Sequence, residues 1–434
     1  MKKVLIITYY WPPSGGSPVI RWLKFAKYLN SFGWKPIIYT AKNAEYPEID
    51  HSLGNDVPSH VKVIKKEIWE PYQAYKRFIG AEKKTSINTG FLSEKKKPGF
   101  LEKISVWIRG NLFIPDARKF WINPSYKYLL NYLQSNPVDI IVSTGPPHST
   151  HVIAMKIKEK TGIKWVADFR DPWTNIDFYD QLMLSKWADK KHKTLEKKVL
   201  QFADHVITVS QTMMEEFIAI KKNNVSVITN GFDEDEIPEA DVILDEKFTI
   251  SHFGSMNKAR DPVSLWIALN ELVKELPGLS NDMVIKLYGK VDYQISEKIK
   301  TLELDKLVKL INYIPRDKAI KEQAKSQILL LVINQTKNAQ GILTNKLFEY
   351  LSVKRPIMAI APPISDLARL IDYTRAGTVF DYNDTARIKA FIKGKYLEFK
   401  EKGYIKGNQN NIHEFSRKGL TKALSDILTK TIST

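Results

Sequence analysis

A lysine and a glutamate lie three positions apart near the start of a predicted helix, in the segment Gly341-Ile-Leu-Thr-Asn-Lys-Leu-Phe-Glu349. At this spacing Lys346 and Glu349 share one face of the helix. Free backbone N–H groups and the positive end of the helix dipole favour an anion at such a start. The lysine adds a positive charge, and the carboxylate can accept hydrogen bonds from two neighbouring hydroxyls, as on a ribose. The pattern predicts a site for a nucleoside diphosphate.

Two further glycine loops follow predicted strands. The first contains Gly15 and Gly16, which let a backbone approach a ligand that a side chain would block. The second contains Gly254 and Ser255, and Arg260 follows it, with a guanidinium suited to holding a diphosphate. Two plainer interpretations stay open. The first loop also fits an ordinary strand-to-helix turn, and the cation of the second fits a surface position.

Composition limits the classes of protein to consider. The 434 residues, 43% of them apolar, are enough for two domains with large cores. The absence of cysteine excludes disulfides, zinc–thiolate sites and cysteine nucleophiles, and it is typical of a reducing compartment. No apolar run approaches the roughly 20 residues that span a bilayer. The net charge of +18 predicts an acidic partner: a phosphorylated substrate, anionic lipid or nucleic acid.

Part of this positive charge is local. The stretch from Lys95 to Trp121 interleaves lysine and arginine with large apolar residues at helical spacing. An apolar stripe flanked by cations favours the surface of an anionic membrane. A core helix with a solvated rim is the alternative. Nucleic acid is disfavoured because the other cations are dispersed and the glycine loops suit a small diphosphate.

Short β-branched runs alternate with helical stretches along the whole chain, a pattern that predicts parallel sheets with crossover helices. Residues 1–232 are expected to form the first domain and 245–405 the second, separated by an acidic linker at 230–241. The final helix, within 414–434, is expected to cross back onto the first domain. Ten strands are predicted: Val4 to Thr8, Pro36 to Tyr39, Ile140 to Ser143, Trp165 to Asp168, His205 to Val209, Phe248 to Phe253, Val284 to Tyr288, Val308 to Asn312, Ile328 to Ile333 and Ile357 to Ile360.

Polar residues also follow two predicted strands in the first half. His148 comes after a Gly-Pro-Pro loop, and Asp168, Arg170 and Asp171 surround the end of the next strand. Ligands of α/β proteins gather at such strand ends. His148 is therefore a candidate to contact the sugar or acceptor in catalysis, or else a histidine that caps the loop. The other three are candidates for the acceptor side, or for an internal ion pair.

Six motifs together resemble the family 4 glycosyltransferases. That resemblance implies the GT-B fold, with two Rossmann-like domains whose parallel sheets face a central cleft. It covers nearly the whole chain, and its specificity comes from the order and spacing of the motifs. They are Pro12-Pro-Ser-Gly-Gly16, Ser143-Thr-Gly-Pro-Pro-His148, Asp168-Phe-Arg-Asp-Pro-Trp173, Val227-Ile-Thr-Asn-Gly-Phe-Asp233, His252-Phe-Gly254 and Thr344-Asn-Lys-Leu-Phe-Glu-Tyr-Leu351.

The resemblance also implies roles for residues of this chain. Lys346 and the amides near Thr344 and Asn345 would hold the donor diphosphate, with Arg260 on the same phosphates. Glu349 would bind the ribose. Other donor-side positions include Gly15, Gly16, Gly254, Ser255 and Ile314, the last bordering the base. His148, Arg260 and Lys346 would be the catalytic residues.

The chain departs from the family pattern at two positions. Gly341 stands where the family usually has a first glutamate that contacts the sugar, and Ser255 stands where it often has an arginine. Recognition of the donor sugar therefore differs, or Gln340 or Asn338 replaces that contact. The retained Lys346 and Glu349 favour a functional site over an inactive one.

The resulting prediction is a retaining, nucleotide-sugar-dependent transferase for surface polysaccharide or glycolipid assembly. Its acceptor is expected to be a sugar, predicted here as lipid-linked, and the transferred group a hexosyl or N-acetylhexosaminyl unit. It is expected to need neither cofactor nor metal, and to work in the cytoplasm as a peripheral protein on the inner face of the cell membrane. A soluble acceptor stays open. The non-catalytic alternative is a subunit that binds nucleotide sugar or a partner without turnover.

Overall fold

A computed structural model describes residues 1–70, 100–176, 178–237 and 242–434. The chain divides into a first unit, Met1–Thr229 with Arg417–Thr434, and a second unit, Asn230–Ser416. The described part of the expected linker thus belongs to the second unit. The backbone explains this, because the amide of Phe232 donates to the carbonyl of Phe415 at 3.1 Å.

The first unit contains a parallel sheet of seven strands within the described residues, in the order β3-β2-β1-β4-β5-β6-β7. The strands are β1 (Lys2–Ile7), β2 (Trp34–Ala41), β3 (Lys62–Lys66), β4 (Ile140–Gly145), β5 (Lys164–Phe169), β6 (His205–Thr208) and β7 (Val225–Val227). The helices are α1 (Ser17–Leu29), α2 (Phe100–Leu112), α3 (Ile122–Ser135), α4 (Ser149–Thr161), α5 (Lys186–Phe202), α6 (Gln211–Lys221) and, from the end of the chain, α14 (Arg417–Ser433), which packs on α1.

The second unit has a six-stranded parallel sheet, in the order β10-β9-β8-β11-β12-β13. Its strands are β8 (Phe248–Phe253), β9 (Met283–Tyr288), β10 (Val308–Ile311), β11 (Ile328–Val332), β12 (Ile357–Ile360) and β13 (Gly377–Phe380). Its helices are α7 (Val263–Glu275), α8 (Leu279–Asp282), α9 (Tyr293–Thr301), α10 (Arg316–Lys325), α11 (Asn345–Ser352), α12 (Asp366–Tyr373) and α13 (Thr385–Lys402). The GT-B class of fold predicted from the sequence, with two Rossmann-like domains, is confirmed.

Both faces of each sheet are buried. In β1, Val4 and Ile6 point into one core cluster while Leu5 and Ile7 point into another, because successive strand side chains face opposite ways. All four side chains are fully buried. The continuous apolar runs that predicted the central strands follow from this double burial.

Three strands escape the sequence prediction: β3, β7 and β13. Each lies at an edge of its sheet. Most of their side chains are exposed or half-buried, and three of the five residues of β3 are lysines. An edge strand with one solvated side lacks the continuous apolar run that marks the central strands.

A buried ion pair ties several elements of the first unit together. Arg21 on α1 donates to the carboxylate of Asp168 at 2.9 Å, and both side chains are at most 1% exposed. Trp22 and Thr144 donate to the same carboxylate at 2.7 and 2.8 Å. Arg21 also donates to the backbone carbonyls of Ile228 and Thr229. The sequence offered Asp168 either for the acceptor side or for an internal ion pair. The structure shows the ion pair, with Arg21 as the partner, and the acceptor-side role stays a prediction.

The ion pair should dominate the stability of the first unit. Replacing Asp168 by asparagine leaves Arg21 as a buried, unbalanced charge, so Asp168→Asn should lower the free energy of unfolding by about 3–5 kcal/mol at neutral pH. The double variant Arg21→Met/Asp168→Asn should recover part of this loss, because it removes both charges. Urea unfolding followed by tryptophan fluorescence measures both values.

The same variant has a defined pH dependence. Burial raises the pKa of Asp168, but Arg21 and the hydrogen bonds outweigh it and leave the pKa below its ordinary value. A carboxylate with a lowered pKa stabilises the fold above its unfolded pKa of about 4 and loses that contribution as pH falls further. The difference in free energy of unfolding between wild type and Asp168→Asn should therefore become smaller in acid. A gap that is unchanged there would contradict the assigned role.

Candidate functional site

The candidate site lies in the second unit, at the carboxyl edge of its sheet. β8 lies between β9 and β11, so connections leave it in both directions, and such a reversal of strand order opens a crevice where α/β proteins bind ligands. The loop after β8 begins with Gly254, and α11 begins at Asn345. The loop that contains Gly254 and the segment Gly341–Glu349, both predicted from the sequence as ligand sites, therefore meet at one place.

Gly254 and Lys346 are in direct contact. Gly254 has a φ of +109°, and a Cβ atom there would lie 2.5 Å from both Cε and Nζ of Lys346. Glycine is required for both reasons, since other residues rarely adopt this backbone conformation and any side chain would displace the lysine. The contact fixes the ammonium group against the end of β8.

Two cations converge on this place. Burial, reinforced by the charge of Arg260, lowers the pKa of Lys346 to about 7, and Glu349 acts in the opposite direction. Arg260 is held by its Nε, which donates to Asn334 at 2.5 Å, and it also donates to the carbonyl of Ser255 at 3.4 Å. The lysine is thus destabilised as a cation in the free protein, and an anion at this point would relieve the repulsion.

The start of α11 adds unsatisfied polar atoms. The side-chain oxygens of Thr344 and Asn345 are buried and have no hydrogen-bond partner among the described residues. Thr344 occupies the N-cap position but makes no capping hydrogen bond. Buried polar atoms are ordinarily satisfied, and a helix start already attracts anions. This arrangement can bind a phosphate group through backbone amides, a hydroxyl and two cations.

His252, on β8, lies beside the same cations. Its Nδ1 lies 3.0 Å from the carbonyl of Leu330, and its Nε2 is buried without a described partner. Burial and the charge of Lys346 lower the pKa of His252 to about 3. The imidazole is therefore neutral at physiological pH and adds no charge to the site.

Glu349 lies on the same helix and is engaged by Arg316. Arg316 donates to Oε1 of Glu349 at 2.5 Å and to Oε2 of Glu236 at 3.1 Å. One oxygen of Glu349 is thus fixed while the side chain stays partly exposed, at 18%. Ile314, the residue expected to border the base, lies in the loop just before α10, two positions before Arg316, and is half-buried.

The sequence analysis did not identify Asn334 or the pairing of Arg316. Asn334 follows β11, so its position just after a predicted strand was a usable signal. The partners of Arg316 had no such signal, because Glu236 is distant in sequence and only the tertiary structure brings it close.

The first glycine loop belongs to the first unit. The amide of Gly15 donates to the carbonyl of Glu48 at 3.0 Å, and a Cβ at Gly15 would lie 3.2 Å from that of Asp50. Gly16 is exposed with a φ of +80° and forms the N-cap of α1. The close packing of Gly15 agrees with a tight turn, while Gly16 leaves backbone accessible.

His148 and Arg170 lie on loops at the ends of β4 and β5. The ring of His148 stacks on Trp173, with centroids 4.4 Å apart, and burial together with His151 lowers its pKa well below the ordinary value. Arg170 donates to the carbonyls of Pro18, Gly145 and Pro146, joining the two loops to α1. Asp171, its neighbour, is exposed.

The described residues contain no group of three or more histidine, aspartate or glutamate side chains placed to hold a metal ion. None of their helices is both long and apolar enough to cross a bilayer.

Comparison with known proteins places these features in context. Residues 91–236 match the family model Glycosyltransferase Family 4. No curated protein matches the sequence. The family match confirms the resemblance predicted from the motifs and supports a glycosyltransferase.

Solved structures share the fold. A glycosyltransferase from Rickettsia africae ESF-5 aligns with a TM-score of 0.57 at 14% identity, over 99% of this chain and 94% of that one. A mutant of S. aureus TarM, in complex with fondaparinux, alpha-GlcNAc-glycerol and UDP, aligns with a TM-score of 0.55 at 12% identity, over 99% of this chain and 100% of that one. WaaG, a glycosyltransferase involved in lipopolysaccharide biosynthesis, aligns with a TM-score of 0.51 at 12% identity, over 98% of this chain and 99% of that one. At these identities the likeness shows the fold.

Charging Lys346 should destabilise the ligand-free second unit. A lysine whose pKa falls from about 10.4 unfolded to about 7 folded weakens the fold most below pH 7, and the effect fades towards pH 10. Lys346→Met should therefore be more stable than wild type by about 1 kcal/mol or more at about pH 6, and by less at about pH 9. Thermal unfolding at both pH values measures this.

Lys318→Met provides the matched control, because Lys318 is an exposed lysine of the same unit. It should show no comparable change between the two pH values. A stability gain of Lys346→Met that is the same in acid and in alkali would contradict the desolvated lysine.

Proposed function

Starting from the family 4 match and the GT-B fold, we propose that this glycosyltransferase uses a nucleoside-diphosphate sugar and retains the anomeric configuration. The donor diphosphate binds at the start of α11, between Lys346 and Arg260. The acceptor is a lipid-linked sugar in surface polysaccharide or glycolipid assembly, and the transferred unit is a hexosyl or N-acetylhexosaminyl group. The carrying observation is the convergence of two cations and two unsatisfied buried oxygens at one helix start.

The geometry supports a diphosphate over other anions. Thr344 and Asn345 supply the helix start, Lys346 and Arg260 supply charge, and Glu349 lies one turn further along α11. A ribose bound by Glu349 would extend from the phosphates along one face of the helix. Arg316 holds Oε1 of that carboxylate and leaves Oε2 to accept a hydroxyl. The UDP complex of TarM supports the same class of ligand.

This arrangement suits departure of a nucleoside diphosphate. Negative charge grows on the leaving phosphate as the bond to the anomeric carbon breaks, and fixed cations and amides aimed at that charge lower the barrier. With retention by front-face attack, the leaving phosphate itself helps to take the acceptor proton. No nucleophilic side chain is then required. We propose that the reaction requires no cofactor and that the nucleotide sugar is a co-substrate.

Lys346 should be needed for turnover. The test measures nucleotide release from UDP-, GDP- and ADP-sugars, with and without a lipid-extract acceptor. One donor should be consumed, and Lys346→Ala should lower the rate by about 100-fold or more, as expected when a positioned group loses contact with developing charge. Lys318→Ala, an exposed lysine of the same unit, should leave the rate unchanged.

Three outcomes separate the possibilities. Full turnover by Lys346→Ala would remove the lysine from the mechanism. Saturable binding of a nucleotide sugar without release in any mixture would favour a non-catalytic binding subunit, to which the departures at Gly341 and Ser255 also point. No binding of any donor would contradict the proposed diphosphate site.

We also propose peripheral attachment to the inner face of the cell membrane. Part of the predicted basic and aromatic stretch, Lys95 to Lys97, lies outside the described residues. Within the described part, Trp107 and Phe120 are 43% and 40% exposed. Lys119 lies over the ring of Phe120, 5.3 Å from its centroid. Exposed aromatic rings next to a cation are typical of surfaces that bind anionic lipid.

Vesicle sedimentation tests this attachment. The protein should bind vesicles that contain anionic lipid and bind neutral vesicles more weakly. Lys119→Ala should weaken binding to anionic vesicles about fivefold, because a lysine near such a surface contributes about 1 kcal/mol. Lys318→Ala in the second unit serves as the control for loss of one charge. Equal binding to anionic and neutral vesicles would contradict the electrostatic part, and no binding to either would contradict the attachment.

A further inference from the structure

The first unit contains a cavity of about 320 Å³ that the proposed donor site does not use. Its walls come from α2 and from the loops that follow β1, β4 and β5. The volume lies within the range of small-molecule pockets, about 300–1,000 Å³. His148, Arg170 and Asp171, all candidates from the sequence, line it.

Most polar wall groups already have partners. Arg170 donates hydrogen bonds from its side-chain nitrogens to three backbone carbonyls. The carboxylate of Asp116 accepts from the amide and the hydroxyl of Ser149 at 2.8 and 2.7 Å. His192 lies 3.2 Å from the carbonyl of Gly110 through Nε2, and its Nδ1 accepts from Trp173 at 3.1 Å. These groups shape the cavity but offer few bonds to a ligand.

Two other polar wall residues differ. Arg109 makes no hydrogen bond or ion pair with the described residues, so its guanidinium can pair with a ligand. His148 is only 7% exposed, and its Nδ1 has no described partner. Because its pKa is lowered, the imidazole is neutral and can form a hydrogen bond without adding charge. The charge of Asp171 acts on Arg170.

The remaining surface is largely apolar. It includes Phe113, Pro115, Pro147, Ile176, Phe178 and Leu182. A saccharide in this space would bury several hydroxyls without partners, at about 1–3 kcal/mol each. The walls therefore match a ligand that is mainly apolar and carries one anionic end.

We propose that this cavity binds the apolar chain of an amphiphile that ends in a phosphate group, and that Arg109 pairs with the phosphate. Phe113 supports an approach from the exposed aromatic surface, because its ring contacts that of Phe120, with centroids 6.0 Å apart. The inference rests on the proposed function in one respect: such a chain would be the anchor of the lipid-linked acceptor. It identifies where the first unit recognises that anchor.

Calorimetric titration tests the inference with defined probes, each below its aggregation concentration. Farnesyl phosphate should bind saturably with one site per chain. Farnesol should bind at least about tenfold more weakly, because the pairing with Arg109 is lost, and inorganic phosphate alone should not bind saturably. Dodecyl phosphate distinguishes the chain type. If dodecyl phosphate binds as tightly as farnesyl phosphate, the cavity accepts an acyl chain as well as a prenyl chain. If it binds more weakly, the cavity prefers a prenyl chain.

Variants assign the binding to the cavity. Arg109→Gln should weaken farnesyl phosphate about tenfold and leave farnesol unchanged, since only the former carries the charge. Phe113→Ala should weaken both ligands, because it removes an apolar wall. Lys127→Gln, at an exposed lysine of the same unit, should change neither. Circular dichroism confirms that each variant is folded.

No saturable binding of farnesyl phosphate, or equal binding by wild type and Arg109→Gln, would overturn the inference. The titration contains no nucleotide sugar, so its result is independent of transfer. Farnesyl phosphate binding by a protein that releases no nucleotide from any donor would support the cavity and contradict the proposed transferase. Donor turnover without binding of the amphiphile would do the reverse.

Discussion

The burial of both faces of each parallel sheet is the constraint on which the two units depend. Apolar strand residues fill the cores above and below the sheets, so polar side chains are confined to the strand ends unless they are fully paired. Asp168 and Arg21 are the informative exception. Their charges are matched to each other, and Trp22 and Thr144 supply the remaining hydrogen bonds. The pair joins α1 to the central strands and so holds the loops at their ends.

The same constraint explains the pair of cations at the start of α11 in the second unit. Gly254 ends β8 without a side chain, and Lys346 occupies the space that one would fill. Lys346 is half-buried beside Arg260, and its burial together with this proximity disfavours its charged form. Glu349 does not neutralise the site completely, because Arg316 holds its carboxylate. The second unit therefore holds these cations in place at an energetic cost, which a bound anion would relieve.

In the first unit, satisfied polar groups determine what the cavity can accept. Arg170 and His192 look like ligand-binding residues by type, yet their hydrogen bonds go to backbone carbonyls and to Trp173. Arg109 and His148 keep bonding capacity because no described residue takes it. Counting the bonds already made thus distinguishes residues that build the walls from residues that recognise a ligand.

The sequence by itself determined the central strands and their division between two parallel sheets, because burial of both faces gives a central strand a continuous apolar run. The GT-B class was predicted from the resemblance that six motifs carry. The sequence also predicted a site at Gly254, Thr344, Lys346 and Glu349, since glycine loops and helix starts are local features. Only the tertiary structure decided which distant side chains meet. It paired Asp168 with Arg21, joined Arg316 to Glu349, and left Arg109 facing a cavity. Such pairings depend on the packing of elements far apart in the chain, so the local sequence does not predict them.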